Sequence, residues 1–558
     1  MATLWQEKLQ TLLKCDLKSL YPLARSLNRK LYFYVGPTNS GKTFQATQKL
    51  KGADCGIYLA PLRLLALEGF EKLREDKIKA SLVTGEEQVI DDEATHICST
   101  IEMLDFNLEL DCAVIDEVQM IDDIDRGWSW VNAIIGTPAK EIYMTGSVNS
   151  LEAIKKIAIY LNESLEITKF QRKNPLEVLD SPVKLEDIKK QSALIAFSRT
   201  QVLSLKAKLS KKYSISVIYG NLSPEVRRHE AKRFREGKSE ILIATDAIAM
   251  GLNLPIETII FTDEKKFDGK EKRLLKANEV VQIAGRAGRY GMFEAGHITG
   301  LNKKILNHIK VCMDEPIKTI KAPFRVKASI EQVQSLAVYL NNSSISAILS
   351  FFAKNMKFNG PFKATNISSM IEVSKIIDKK SSLSLDDKYL LVNAPVYLKS
   401  QTLSYAFEDY TKALIKKKMV KYCLELSLKH KTISPKELLL LEDEVKKISL
   451  YLWFAYKLPL LFPDIDKALE AREVLNAYIG KMLKEGKFHV PKKKFTSSYD
   501  RNKSKDKYKN PKSYTSKSKK GHKNKAKEES TQEKFFQKEK TSKTAPRKKY
   551  FKNNKKPI

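Results

Sequence analysis

The apolar run LYFYV at 31–35 opens directly into GPTNSGKT at 36–43, and few folds place two such pieces end to end. The octapeptide fits G-x-x-x-x-G-K-[ST], a pattern that requires a strand before it and a helix after it. Gly36 and Gly41 let backbone N–H groups approach phosphate oxygens closely, with Pro37, Thr38, Asn39 and Ser40 forming the loop between them. The following helix adds the positive end of its dipole. Lys42 can then reach the β and γ oxygens and Thr43 can bind Mg2+, so the loop predicts ATP with Mg2+ as its ligand.

A second element gives the bound nucleotide a reaction. The run CAVI at 112–115 ends in Asp116-Glu117-Val118-Gln119. An acidic residue leaving a second buried strand is where phosphate-loop enzymes hold their metal. Asp116 is expected to bind Mg2+ through water, and Glu117 to position and deprotonate the attacking water. Such a pair after an apolar run is often only a solvated strand end; the phosphate loop upstream selects the catalytic reading. A second carboxylate also favours hydrolysis over kinase chemistry, where no water is attacked.

The third element is QIAGRAGR, running from Gln282 to Arg289. Arg286 and Arg289 are three apart and would share a face if helical. Carried by a second α/β half, both could point at the γ-phosphate. One acting as an arginine finger contributes ~10³-fold or more to hydrolysis. A plain solvent-facing basic helix would leave Gly285 and Gly288 unexplained, because glycine weakens a helix.

The rest of the chain fits an α/β frame. Short apolar runs at 31–35, 56–60, 112–115, 141–144, 193–197, 216–219, 240–244 and 258–261 each precede a helical pattern. Buried parallel strands read this way, with the chemistry at their C-terminal ends. The eight runs divide at 170–190, a charged stretch with two prolines. From about residue 325 glycine thins out and apolar residues fall at helical spacing, predicting an all-α region to about 486. The expected plan is an N-terminal helical segment at 1–30, α/β halves at 31–170 and 171–325, helical domains at 326–486, and a tail from 487. The tail from Pro491 holds 25 Lys/Arg against 6 Asp/Glu, more than half of the net +33 on 558 residues. It cannot bury enough apolar surface to offset its ordering entropy and is expected to be disordered. Its lysines interleave with tyrosines and phenylalanines, a composition suited to non-specific binding of single-stranded nucleic acid.

No uninterrupted apolar run reaches membrane-spanning length, and six scattered cysteines with no CxxC suggest neither a disulfide framework nor a zinc site. The expectation is no membrane and a reducing compartment.

Taken together, these motifs resemble the superfamily-two DExH-type helicases across 31–300. APLRLLALE at 60–68, TGEE at 84–87, STIEM at 99–103, DEVQ at 116–119 and TGS at 145–147 look like the elements of a first RecA-like domain. ALIAFSRT at 193–200, VIYGNLSPEVRRHEAKRF at 217–234, ATDAIAMGLNLP at 244–255 and QIAGRAGR look like those of a second. GPTNSGKT, VIDEVQMI with RGWSW, YGNLSPEVRR and ISLYLWFAYKLPLLFPD at 448–464 resemble one branch, the RNA helicase subunit of the mitochondrial degradosome and its bacterial relatives.

The resemblance implies two tandem RecA-like domains, an ATP-dependent RNA helicase activity in RNA turnover, and helical domains that ring the single strand. It also implies nucleotide contact at Gly251 and RNA-backbone contacts at Arg63, Thr84, Gly85, Ser198, Arg199, Tyr219 and Thr245. An exoribonuclease partner and a monomeric state follow as expectations. With the phosphate loop starting at residue 36, a bacterial cytoplasmic location is expected, with the mitochondrial matrix as alternative. Two other functions stay open: a DNA or RNA–DNA hybrid helicase, and an ATP-gated RNA-binding scaffold, which the complete hydrolytic set disfavours.

Overall fold

The computed structural model describes residues 13–250, 253–365, 368–424 and 434–485. The tail from 487 lies outside the described residues, as does Gly251.

The first α/β half is an eight-stranded sheet. Its strands are β1 (Lys30–Val35), β2 (Gly56–Ala60), β3 (Ala80–Val83), β4 (Gln88–Val89), β5 (His96–Thr100), β6 (Leu110–Ile115), β7 (Ala139–Gly146) and β8 (Leu165–Lys169). Their spatial order is β4-β3-β5-β2-β6-β7-β1-β8, all parallel except the short β3–β4 hairpin. The strands β2 and β6 are buried almost end to end, as expected where helices cover both faces. The phosphate loop leaves β1 and the Asp116-Glu117 pair leaves β6; β7 lies between those two strands.

The second half is a six-stranded, wholly parallel sheet: β9 (Leu176–Val178), β10 (Ser192–Ile195), β11 (Ile215–Ile218), β12 (Ile241–Ala244), β13 (Thr258–Phe261) and β14 (Gly296–Gly300). Their order is β9-β14-β13-β10-β12-β11. All eight apolar runs of the sequence are strands. The short or polar ones, β3, β4, β5, β8, β9 and β14, carry too little apolar signal to stand out. The break between the sheets falls between Lys169 and Leu176, at the start of the charged stretch.

Helices dominate from Ile330 to Glu485, ending in the long pair Pro435–Lys457 and Ile465–Glu485. Ser434 starts the first of these with a reciprocal capping box to Glu437, and Pro435 takes the first helical position, where its missing N–H costs nothing. The aromatic run at 448–464 is core: Tyr410, Tyr451, Phe454 and Phe462 meet edge-on or stacked at centroid distances of 5.1–6.1 Å. One apolar core joins these helices to the second sheet, from Val217 and Tyr219 through Leu475 and Ile479.

The region is not purely helical. Phe324–Val326 pairs with Phe362–Ala364, and Lys357–Phe358 pairs with Lys14–Cys15. The second ladder ties the helical part to the N-terminal segment, which is therefore part strand rather than helical throughout. No single described helix is long and apolar enough to cross a membrane; the pair Ile330–Leu340 and Ile345–Asn355 meets the test only together, bent by 99°. Val333, Leu336, Ile345, Ile348 and Phe352 of that pair are buried in the core.

Candidate active site and nucleic-acid channel

The phosphate loop turns through Asn39 and Gly41, both at positive φ, and the helix Lys42–Lys51 follows at once. Gly36 must be glycine, since a Cβ there would lie 2.4 Å from the Phe170 carbonyl. Ser40 Oγ donates to the Pro37 carbonyl at 2.8 Å, and Lys42 Nζ donates to the same oxygen at 2.6 Å. Burial pulls the Lys42 ammonium below its ordinary pKa, while Glu117 and Asp116 pull it back up. A phosphate oxygen is the partner such a desolvated cation lacks.

Asp116 is buried and its carboxylate is fixed on every side. Thr43 Oγ1 donates at 3.0 Å, Tyr58 OH at 2.9 Å, the Glu117 N–H at 3.1 Å, and Thr145 Oγ1 donates to the same oxygen as Thr43. This set of one hydroxyl and one carboxylate beside a phosphate loop suits Mg2+, which takes few protein ligands and keeps its waters. Glu117 sits in the left-handed region at φ 55°, a conformation that costs energy for a non-glycine residue. The twist sets its carboxylate at the wall of the nucleotide cleft, where Gln119 Nε2 donates to it. Gln119 Oε1 accepts in turn from the Ser147 N–H at 3.2 Å. The DEVQ and TGS segments are therefore one hydrogen-bonded unit, which their separation of 28 residues did not reveal.

The second sheet completes the cleft, a cavity of about 440 Å³ lined by the phosphate loop, Asp116, Glu117 and Arg286. Arg286 Nη2 lies 3.7 Å from Glu117 Oε1, and its Nε donates to the Ala249 carbonyl at 3.0 Å. The structure corrects the expected helix: Ala277–Ala284 ends before either arginine, so Arg286 and Arg289 sit in the turn beyond it. Only Arg286 lines the cleft; Arg289 and Gln282 do not. The glycines explain themselves here. A Cβ on Gly285 would lie 2.9 Å from Thr38 Cβ, so its absence allows the two halves to touch at the phosphate loop. Gly288 has φ 64°, and a Cβ on it would lie 2.5 Å from the Gly296 nitrogen.

Arg172, in the linker between the sheets, was not anticipated. Its guanidinium donates to the Thr38 carbonyl at 3.2 Å, the Gly285 carbonyl at 2.8 Å and the Ala287 carbonyl. One side chain thus ties the phosphate loop to the arginine-bearing turn. Its only sequence signal was a position in the charged stretch that divides the halves.

A second cavity, about 520 Å³, lies where the two sheets and the helical region meet. Of the seven residues expected to contact nucleic acid, Arg63 and Gly85 line it. Arg63 is paired with Glu86, with Glu87 at 3.3 Å and with Glu225 at 3.4 Å. Thr84 is buried beside the channel, donating to the Glu87 carbonyl at 2.9 Å. The others are engaged elsewhere. Ser198 caps the helix Arg199–Leu209, and Thr245 caps the turn Asp246–Ala249. Arg199 donates to both oxygens of the buried Glu442 at 3.0 and 2.9 Å, and Tyr219, 1% exposed, donates to Glu442 at 2.6 Å. Burial raises the Glu442 carboxyl's pKa, and these two donors only partly offset it. Arg199 and Tyr219 thereby join the second sheet to the helix Pro435–Lys457, a tertiary contact that the sequence motif could not foretell. Arg227, which lies within YGNLSPEVRR but was not among the expected contacts, and Tyr397, which lies in no motif, line the channel.

Comparison with known families agrees with this arrangement. Residues 18–170 match the DEXQ-box helicase domain of Suv3, 176–291 the helicase conserved C-terminal domain, and 438–485 the ATP-dependent RNA helicase SUV3 C-terminal domain. The mitochondrial DExH-box ATP-dependent RNA helicase DExH16 of Arabidopsis thaliana is 33% identical over 84% of this chain and 84% of its own length. The chain belongs to the SUV3 family of DExH-box helicases. The mitochondrial ATP-dependent RNA helicase SUV3 of Saccharomyces paradoxus is 32% identical over 80% of this chain, which spans 64% of that relative's length. Among solved structures, S. cerevisiae Dbp5 bound to RNA and ADP BeF3 is similar over 65% of this chain and 92% of its own, at 17% identity and a TM-score of 0.41.

Proposed function

We propose that this SUV3-family chain is an RNA helicase that couples ATP hydrolysis to movement along single-stranded RNA and to unwinding, in the service of RNA turnover. The observation that carries the reading is Arg286 of the second half standing 3.7 Å from Glu117 of the first, across the cleft that holds the phosphate loop. Lys42 and the loop N–H groups bind the triphosphate, Glu117 orients and deprotonates the attacking water, and Arg286 stabilises charge on the transferred phosphoryl group. Mg2+, held by Thr43 and Asp116, would neutralise phosphate charge when bound. Because the site needs groups from both halves, its occupancy biases their closure, and RNA gripped by both halves biases it equally.

RNA is proposed to run through the channel past Arg63, Gly85 and Arg227, with Thr84 supporting that wall. Ser198, Arg199, Tyr219 and Thr245 would act by holding the second half in place rather than by touching the strand. Phe44, 64% exposed at the rim of the nucleotide cleft, offers a base a stacking face without a hydrogen-bond code. Other nucleoside triphosphates should therefore be accepted. We further propose a monomer that works with an exoribonuclease. The relatives' names support a mitochondrial site of action, whereas the expected bacterial cytoplasm has no support from them.

The test is unwinding of RNA and DNA duplexes with 3′ or 5′ overhangs, wild type against Glu117→Gln. Unwinding of RNA by the wild type and not by the variant is expected. A variant as active as wild type would remove the catalytic assignment, and a preference for DNA would replace the substrate.

A further inference from the structure

The channel's cations are of two kinds. Arg63 is held by three carboxylates, Arg126 by Glu102 at 2.7 Å, and Lys446 by Asp443 at 3.2 Å. Arg227 differs: among the described residues its side chain makes no ion pair or hydrogen bond, and its Nε is buried without a partner. Desolvation lowers its pKa, Arg63 adds to that, and Glu225 and Glu86 only partly oppose it. A partly buried guanidinium without an anion is costly unless one arrives, and the channel is the route by which it can.

The helical region supplies the complementary group. Tyr397 stands in the loop joining the helix Leu385–Val392 to Gln401–Lys416, and it is 56% exposed. A single exposed aromatic is ordinarily unremarked surface. Two features set this one apart. It lines the same channel as Arg227, and its loop is held firmly on both sides. The Val396 N–H donates to the Ala394 carbonyl at 2.8 Å and the Ser400 N–H to the Tyr397 carbonyl at 3.0 Å. Ser400 Oγ also donates to Asp443 of the helix Pro435–Lys457 at 2.9 Å. The backbone that carries the ring is hydrogen-bonded on both sides of it, so ordering that backbone costs little when a flat partner meets the ring. The other channel aromatic, Trp453, is buried and offers no comparable face.

We propose that Tyr397 is a stacking platform for one base of single-stranded RNA and that Arg227 takes a phosphate of the same strand. The helical region then grips the strand rather than merely enclosing it. Stacking is indifferent to base identity, because every base has a π face, and it releases no counterions. The two residues should therefore leave separate signatures. The inference rests on the channel being the RNA path.

The experiment measures the RNA concentration for half-maximal ATPase of the full chain as a function of salt, with an oligouridylate strand and with a fully abasic strand of equal length. Tyr397→Leu should raise that concentration about five- to one-hundred-fold on oligouridylate, with an unchanged salt slope and no effect on the abasic strand. Tyr397→Phe should restore wild-type behaviour within about twofold, since the ring face is kept. Arg227→Gln should raise the concentration on both strands and reduce the salt slope by about 0.7. If Tyr397→Leu matches wild type on oligouridylate, or weakens both strands alike, the stacking role falls. If Tyr397→Leu and Arg227→Gln both match wild type, the channel is not the RNA path and the reading beneath the inference falls with it.

Discussion

Arg286 of the second sheet stands 3.7 Å from Glu117 of the first, and each is held there by its own half: Arg286 by the Ala249 carbonyl, Glu117 by Gln119. Glu117 and Arg286 therefore meet only while the halves are together. On the proposed function, hydrolysis is tied to a motion because neither half is complete alone.

Arg286→Ala should reduce the RNA-stimulated kcat by about 10³-fold with little change in nucleotide affinity, since the charge it meets develops mainly in the transition state. Arg289→Ala should cost far less, as Arg289 does not line the cleft. Steady-state ATPase at saturating RNA measures both. Equal losses would mean that the two arginines share the role.

Arg172→Ala should lower RNA-stimulated kcat roughly tenfold or more, because it frees the phosphate loop from the Gly285–Ala287 turn. Arg172→Lys should rescue poorly, since one ammonium cannot span three carbonyls as a planar fork does. A rescue to wild-type rate would show that charge alone suffices.

The two glycines should respond differently to alanine. Gly285→Ala leaves an ordinary backbone but crowds Thr38, so it should impair the ATPase with little change in thermal stability. Gly288→Ala forces a side chain onto φ 64° against Gly296 and should destabilise by about 1–3 kcal/mol or more. Thermal melts beside ATPase assays separate the two effects.

Lys327 carries a pH signature. Burial lowers its pKa from 10.5 to about 8 against the partial opposition of Glu102, and its ammonium lies 4.4 Å from the centre of the Trp128 ring. Between pH 8 and 10.5 the unfolded chain binds the proton that the folded chain has lost, so stability from this group rises with pH across that window. Below pH 8 the folded state bears the full cost of the buried charge. The melting temperature of Lys327→Gln relative to wild type should thus be highest below pH 8 and fall as pH approaches 10.5, a swing of up to roughly 3 kcal/mol. A pH-independent difference would remove the assignment.

Much of this protein was legible as sequence because its chemistry is local. A phosphate loop is eight consecutive residues whose glycines and lysine act through the backbone they sit on, and DEVQ is a strand end. Buried parallel strands announce themselves as unbroken apolar runs, so eight of the fourteen strands in the two sheets, and the break between the sheets, could be read directly. The short and polar strands could not, because their place is set by neighbours rather than by their own pattern.

Tertiary structure decided what depends on distant partners. It separated Arg286 from Arg289 by ending a helix at Ala284, joined DEVQ to TGS through Gln119, and recruited Arg172 from an unremarkable linker. It paired Arg199 and Tyr219 with Glu442, more than 200 residues away, and left Arg227 and Tyr397 facing the channel. Sequence fixes which groups are available along the chain. Which carboxylate neutralises which arginine, and which arginine is left without one, depends on burial and distance, and those exist only once the chain has folded.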